Sequence, residues 1–323
     1  MKGRTWGVLA VVLMAAGLCS AAVAGMGKFS DWSAAVRVEA IPGTDPSFNG
    51  PDLDGCPFIS RDGKKFFMAS TRPGGLGGID IWLSTRGRKS DPWGAPVNVG
   101  APVNSSANDF CPTLARDGRN FYFVSNRPGG CGGADMYTAQ RSATGSFGPV
   151  ANLGCQVNSS ADEASPMPLR ELGKGKVLYF SSTRPGGFVA EATGASVGDS
   201  DLYVTVWDGS VFGPAALVPG ANSAFEDGQP NTRRDGLELF FFSNRAGTLG
   251  MADIYAATRA KTSNAWSTPF NLGANVNSAA AETRPSLSWD GTTLYYGSTR
   301  PGGEGSSDHY VTTREKLKPK KKR

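Results

Sequence analysis

Histidine occurs once in this 323-residue chain, no two cysteines have the Cys-x-x-Cys spacing, and beyond residue 24 no apolar run approaches 18 residues. The first two absences argue against the common zinc sites, which need several imidazole or thiolate groups. The third leaves no transmembrane span after the N-terminal segment. Helical periodicity is scarce as well. What the chain does have is 43 glycines and 21 prolines, a composition of short strands joined by many turns.

Lys2 and Arg4, the apolar residues 6–18 and the triplet Ala22-Val23-Ala24 compose a secretory signal peptide over residues 1–24. The expected location is therefore periplasmic or secreted. The chain's formal charge of +5 is unevenly spread. Lys2 and Arg4 carry two positive charges and residues 314–323 a net six, which leaves the body at about −3. Residues 313–323 read as a basic, disordered tail, able to touch an anionic surface or to serve only solubility. Nothing points to sequence-specific nucleic-acid recognition.

One unit recurs five times: Ser-(Thr/Asn)-Arg, a Pro/Gly-rich loop, then Asp and a hydrophobic pair. Successive arginines lie 55, 57, 61 and 55 residues apart, about the length of one four-stranded sheet. Each unit parses into four strands. The first contains a proline, the second is continuously apolar as in Phe66-Phe67-Met68-Ala69, and an Asp-Gly turn usually separates the two. The fifth copy stops after its third strand, whereas Trp32-Ser33-Ala34-Ala35-Val36 resembles the fourth-strand segments. These features predict an all-β, five-bladed β-propeller of four-stranded antiparallel blades, its ring closed by the N-terminal strand completing the last blade. Closure protects the sheet edges that an open stack would expose.

Two sets of recurring residues carry charge. Arg72 and Asp80, Arg127 and Asp135, Arg184 and Asp201, Arg245 and Asp253, and Arg300 and Asp308 are expected to pair across a hairpin mouth as scaffold. An acid also stands three residues before each first-strand proline: Asp54, Asp109, Glu163, Asp227 and Glu282. On the innermost strands these five could form a ring that binds a cation such as calcium or a cationic ligand. Equally, each could cap local backbone N–H groups or pair with a repeat arginine. No other cofactor is expected. Unique features include a longer third-blade loop at residues 188–198, Arg284 where other copies have Cys, Cys, Ser or Gln, and His309 beside Asp308. Cys131 and Cys155 flank the end of blade two, and Cys56 and Cys111 occupy equivalent positions on adjacent first strands. Two disulfides, Cys131–Cys155 and Cys56–Cys111, are expected.

The motif Ser-x-Arg-Pro-Gly-Gly-x-Gly-Gly-x-Asp, with its hydrophobic pair and preceding Asp-Gly turn, resembles the WD-like β-propeller repeats of the TolB-related family over nearly all of residues 28–312. That resemblance implies an envelope propeller acting as an interaction platform. The segment before Trp32 is too short for the extra N-terminal domain of TolB, so a Tol-Pal role is not expected. The leading functional expectation is a non-catalytic scaffold that binds an envelope protein, a peptide or a polysaccharide across one face. The alternatives are a propeller glycoside hydrolase drawing two acids from the channel set, or a lectin with one sugar site per blade.

Overall fold

The computed structural model describes residues 29–188 and 199–317. The signal peptide, most of the third-blade loop at 188–198 and the end of the basic tail lie outside the described residues. Five four-stranded antiparallel sheets surround one channel. Blade one is built from Asp54–Ile59, Lys65–Ser70, Asp80–Thr85 and Val97–Asn98, and blade two from Asp109–Leu114, Asn120–Ser125, Asp135–Arg141 and Phe147–Asn152. Blade three uses Glu163–Glu171, Gly175–Ser182, Asp201–Val206 and Ala216–Leu217. Blade four uses Asp227–Thr232, Glu238–Ser243, Asp253–Thr258 and Phe270–Asn271. Blade five takes Glu282–Leu287, Thr293–Ser298 and Asp308–Thr313 from the C-terminal side and Val36–Arg37 from the N-terminal side.

The ring closes as the sequence requires. Val36 pairs with Val311 and Arg37 with Tyr310, and the first strand of blade five packs against that of blade one. Second strands are buried on both faces because each is sandwiched between neighbouring blades; Phe66, Phe67, Phe121, Phe240 and Phe241 are completely buried. Each such ring contributes roughly 1.5–3 kcal/mol by leaving water. The Gly-rich loops lie flush on the next blade. A Cβ at Gly77 would come within 1.8 Å of the Ala107 carbonyl oxygen, so no larger residue fits there.

An asparagine five residues before each first-strand acid joins one blade to the next. Asn104 accepts from the Ile81 N–H at 2.9 Å and donates to the Ile81 carbonyl at 2.9 Å, as a neighbouring strand would. Asn158, Asn222 and Asn277 clamp Met136, Leu202 and Ile254 in the same way. At the closing seam Asn49 clamps His309. The imidazole is fully buried between Phe48 and Phe66, and its Nδ1 lies 3.1 Å from Asn49 Oδ1. His309 is thus a packing residue of the seam.

The boundary of the tail needs correction. Arg314, assigned above to a disordered segment, is buried, donates to both Glu238 oxygens at 2.7 Å and lies over Trp32 and Phe29. Folded structure extends through residue 317, where Phe29 bridges Lys316. A bidentate guanidinium–carboxylate pair stacked on aromatic rings outweighs the local charge repulsion that suggested disorder.

Burial drives the His309 imidazole down to about 4 from its ordinary 6.5, against the opposing pull of Asp54. The native state therefore binds fewer protons than the unfolded chain between those values, and stability is lost as pH falls from about 6.5 toward 4. Asp201 and Asp308, raised to about 6 mainly by burial, act oppositely in that window, so total stability is not diagnostic. His309→Leu, which installs the residue that Asn222 clamps as Leu202, should be spared the histidine contribution, about 2 kcal/mol at pH 5. Urea melts of both proteins at pH 7 and pH 5 measure the difference; equal pH dependence would refute this account of the seam.

Candidate functional site at the channel

The channel has a repeat face, a constriction and an opposite mouth. At the repeat face the expected Arg72–Asp80 type of pairing does not form, and this is a correction for all five blades. Arg72 Nη2 instead meets Asp54 Oδ1 at 2.6 Å, Arg127 meets Asp109 at 2.6 Å, Arg184 meets Glu163 at 3.0 Å and Arg300 meets Glu282 at 3.0 Å. Arg245 pairs with Asp227 in the same manner. The cause is strand register: Asp54 lies opposite Ser70, so the hairpin returns Arg72 to the start of the first strand. Each guanidinium also bonds the preceding serine, as in Arg72 Nε to Ser70 Oγ at 2.9 Å, and stacks on the third-strand aromatic, here Trp82. Asp80 instead accepts the loop N–H groups of Leu76 and Gly77 and the Asn98 amide. Asp135 and Asp253 cap their loops likewise, Asp201 accepts from the Phe188 N–H at 2.8 Å, and Asp308 accepts from Gly305.

Asp54, Asp109, Glu163, Asp227 and Glu282 are therefore completely buried, and each is neutralised by the arginine of its own blade. They also accept the N–H four residues upstream, as Asp109 does from Ser105 at 2.7 Å. They do not meet as a ring of free carboxylates. Of the two readings open in the sequence, capping and arginine pairing describe their geometry.

The constriction is made by the residues before the five prolines. In every blade the pairing register slips around that proline, a bulge that re-aims one side chain. Cys56, Cys111, Ser165, Gln229 and Arg284 adopt φ between 47° and 59°, the left-handed region that non-glycine residues rarely occupy. All five line one narrow cavity on the axis. The Cys56–Cys111 disulfide crosses between two blades there, with Cα atoms 4.7 Å apart, and Cys131–Cys155 staples the exit of blade two. Arg284 has no carboxylate within ion-pairing distance among the described residues, and its Nε is buried without a hydrogen-bond partner. Burial pushes its guanidinium below its ordinary value.

The opposite mouth opens into a cavity of about 430 Å³ at the turns that follow the first strands. Its rim has one side chain per blade, at the position just before the turn: Arg61, Arg116, Arg170, Arg234 and Trp289. The guanidinium carbons of Arg61 and Arg116 lie 5.1 Å from the Trp289 ring centroid and that of Arg234 5.9 Å. Phe58, Tyr122 and Leu287 line the wall beneath, and Asp117 is the acid at the cavity. Burial acts to raise the Asp117 carboxyl but is outweighed by the N–H groups of Arg119 and Asn120, so it is held ionised. Tyr122, half-buried beside Asp117, is pushed up to about 12 and stays neutral.

Sequence reasoning singled out Arg284 but passed over the rim. The signal was present as a column preceding the Asp-Gly turns, with four arginines and one tryptophan. Its recurrence looks like that of the scaffold arginines, and blade three obscures it, since Arg170 precedes Glu171-Leu172-Gly173 instead.

The fold defines the class of protein, a five-bladed β-propeller. No family model matches the sequence, and no curated protein does. Solved structures share the architecture at low identity. An α-L-arabinofuranosidase from Lactobacillus brevis aligns over 86% of this chain and 94% of its own, at 14% identity and a TM-score of 0.54. An endo-arabinase from Bacteroides thetaiotaomicron VPI-5482 aligns over 84% and 98%, at 15% identity and a TM-score of 0.53. A putative TolB from Agrobacterium tumefaciens aligns over 91% and 100%, at 14% identity and a TM-score of 0.47. These comparisons overturn the expectation that the chain is not an enzyme. Rings of this architecture include named glycosidases, so the fold does not by itself argue for a passive scaffold.

Removing one member of a buried ion pair strands the other charge, at a cost of about 3–5 kcal/mol. Arg127→Met should destabilise by that amount, because Asp109 is then left buried and unpaired. Asp135→Asn, which weakens loop capping alone, should cost about 1–2 kcal/mol. Denaturant titration ranks the two; the reverse order would assign the scaffold role to the wrong partner.

Proposed function

We propose that this protein is a carbohydrate-directed propeller that takes a glycan into the mouth over Trp289. The carrying observation is the cavity itself: about 430 Å³, apolar in its wall, with a half-buried indole on one side of its polar rim. That volume falls within the usual range for ligand sites. An indole offers an apolar face with a polar edge, suited to a sugar ring whose C–H and O–H groups lie on different sides. The solved propellers sharing this fold include enzymes whose names refer to arabinose-containing substrates, which agrees with a sugar ligand.

A single indole in one blade favours one principal site over five equivalent lectin sites. Hydrolysis requires a proton-donating carboxyl and a second carboxylate across the sugar bond. The repeat acids are locked to arginines, so catalysis would draw on Asp117 and the acids of the neighbouring turns. Two disulfides suit an oxidising compartment, and the proposed location is the periplasm or the cell exterior, with an envelope polysaccharide as partner.

Trp289→Ala should weaken binding to a retained oligosaccharide at least tenfold while leaving the melting temperature within a few degrees, and Trp289→Phe should weaken it less. A glycan array followed by calorimetry provides the comparison, and a reducing-end assay on the same sugars reports turnover. Undiminished binding by the alanine variant would remove the mouth from the reading.

A further inference from the structure

Resting on that glycan reading, we infer that the sugar bound at the mouth is acidic, a chain carrying carboxylate groups such as a polyuronate. Arg61, Arg116 and Arg234 converge on one indole from three blades, with Arg170 on the same rim. Among the described residues none of these four makes an ion pair or a side-chain hydrogen bond. By contrast, the five repeat arginines, Arg233, Arg259 and Arg314 all meet carboxylates. Four guanidinia grouped with Asp117 as the one acid lining the same cavity repel one another, and the repulsion is relieved when an anion arrives. Planar guanidinium forks match carboxylate geometry in particular.

The positive character continues inward. The mouth and the constriction share Phe58, Thr113, Met167 and Asn231, so they are successive parts of one channel. At the floor stands Arg284, its Nε buried and unpartnered, with the Gln229 Oε1 also buried and unpartnered in the same constriction. Arg284 is half-buried and lines the cavity without a carboxylate partner, and it is held there in a strained left-handed conformation at φ 59°. The funnel therefore runs from a cationic rim to a cationic floor, an arrangement that draws in the end of an anionic chain.

Positive charge is local to this mouth. Residues 29–317 carry 25 basic and 28 acidic side chains, so the body as a whole does not attract polyanions at long range. Single-stranded nucleic acid is bound along grooves with several successive stacking rings. The rim has one indole above a narrow constriction, which favours a sugar chain end.

The test is calorimetry of the full mature chain with oligogalacturonate, oligomannuronate and glucuronoxylan fragments, alongside neutral xylo- and arabino-oligosaccharides of equal length and poly(dT). At least one uronate probe should bind tenfold or more tighter than every neutral one, and weaken as salt rises from 50 to 500 mM. The triple variant Arg61→Gln/Arg116→Gln/Arg234→Gln should lose at least tenfold on that probe, a larger loss than on any neutral sugar it binds. Arg284→Met should lose affinity for the uronate with the rim intact. Melting curves confirm that the variants fold. Neutral sugars bound as well as or better than uronates would overturn the acidic inference and leave the glycan reading standing. Poly(dT) as the tightest ligand, or no sugar binding at all, would overturn both.

Discussion

Five ion pairs between the arginine that follows each second strand and a buried first-strand acid hold the ring in its shape. Each guanidinium closes the inner hairpin of its blade, bonds the serine two residues back and covers the aromatic ring of the third strand. The carboxylate is completely buried, so it tolerates that position only with its arginine present. Because the acid also accepts the N–H four residues upstream, the segment entering the blade is fixed with it. The asparagine in that segment then clamps the previous blade. One ion pair per blade thus organises both the blade and its contact with the next, and the order propagates round to the seam, where Asn49 receives His309.

The sequence displayed this scaffold plainly but misdirected its wiring. The count of blades, the N-terminal closing strand, the inner position of the acids and both disulfide pairings were readable from repeated spacing. The partners of the arginines were not. A separation of eight residues suggested that Arg72 would face Asp80, while the decisive separation is the 18 residues back to Asp54, set by a register that only the folded hairpin fixes. Arg314 shows the same limit. It sits in a run of basic residues whose local character is that of a tail, and a single acid 76 residues earlier, Glu238, recruits it into the core.

The rim was missed for a different reason. Repetition marks scaffold where the repeated residue faces its neighbours within a blade. It fails at positions that face the axis, since symmetry there gathers one copy per blade at a single place. Arg61, Arg116, Arg170 and Arg234 are repeated in sequence yet meet as one group in space. A propeller can therefore build a charged site out of its own repeat, and Trp289 is the one substitution that breaks the symmetry of that column.

The two ends of the first strands thus use arginine in opposite ways. At the repeat face every guanidinium is paired, stacked and mostly buried, and its charge is spent on holding the fold. At the mouth the guanidinia are exposed and unpaired, and their charge is left for something outside the chain. The separation follows from the strand itself: one end is anchored beneath the Gly-rich loops, and the other turns over at an Asp-Gly corner whose preceding residue projects to the channel. The bulge at the proline divides them. It reorients one side chain per blade toward the axis and makes the constriction that turns an open tube into a funnel with a floor. A ring whose stability resides at one end is free to vary the other, and a binding site placed at that free end can change its chemistry without disturbing the pairs that hold the blades together.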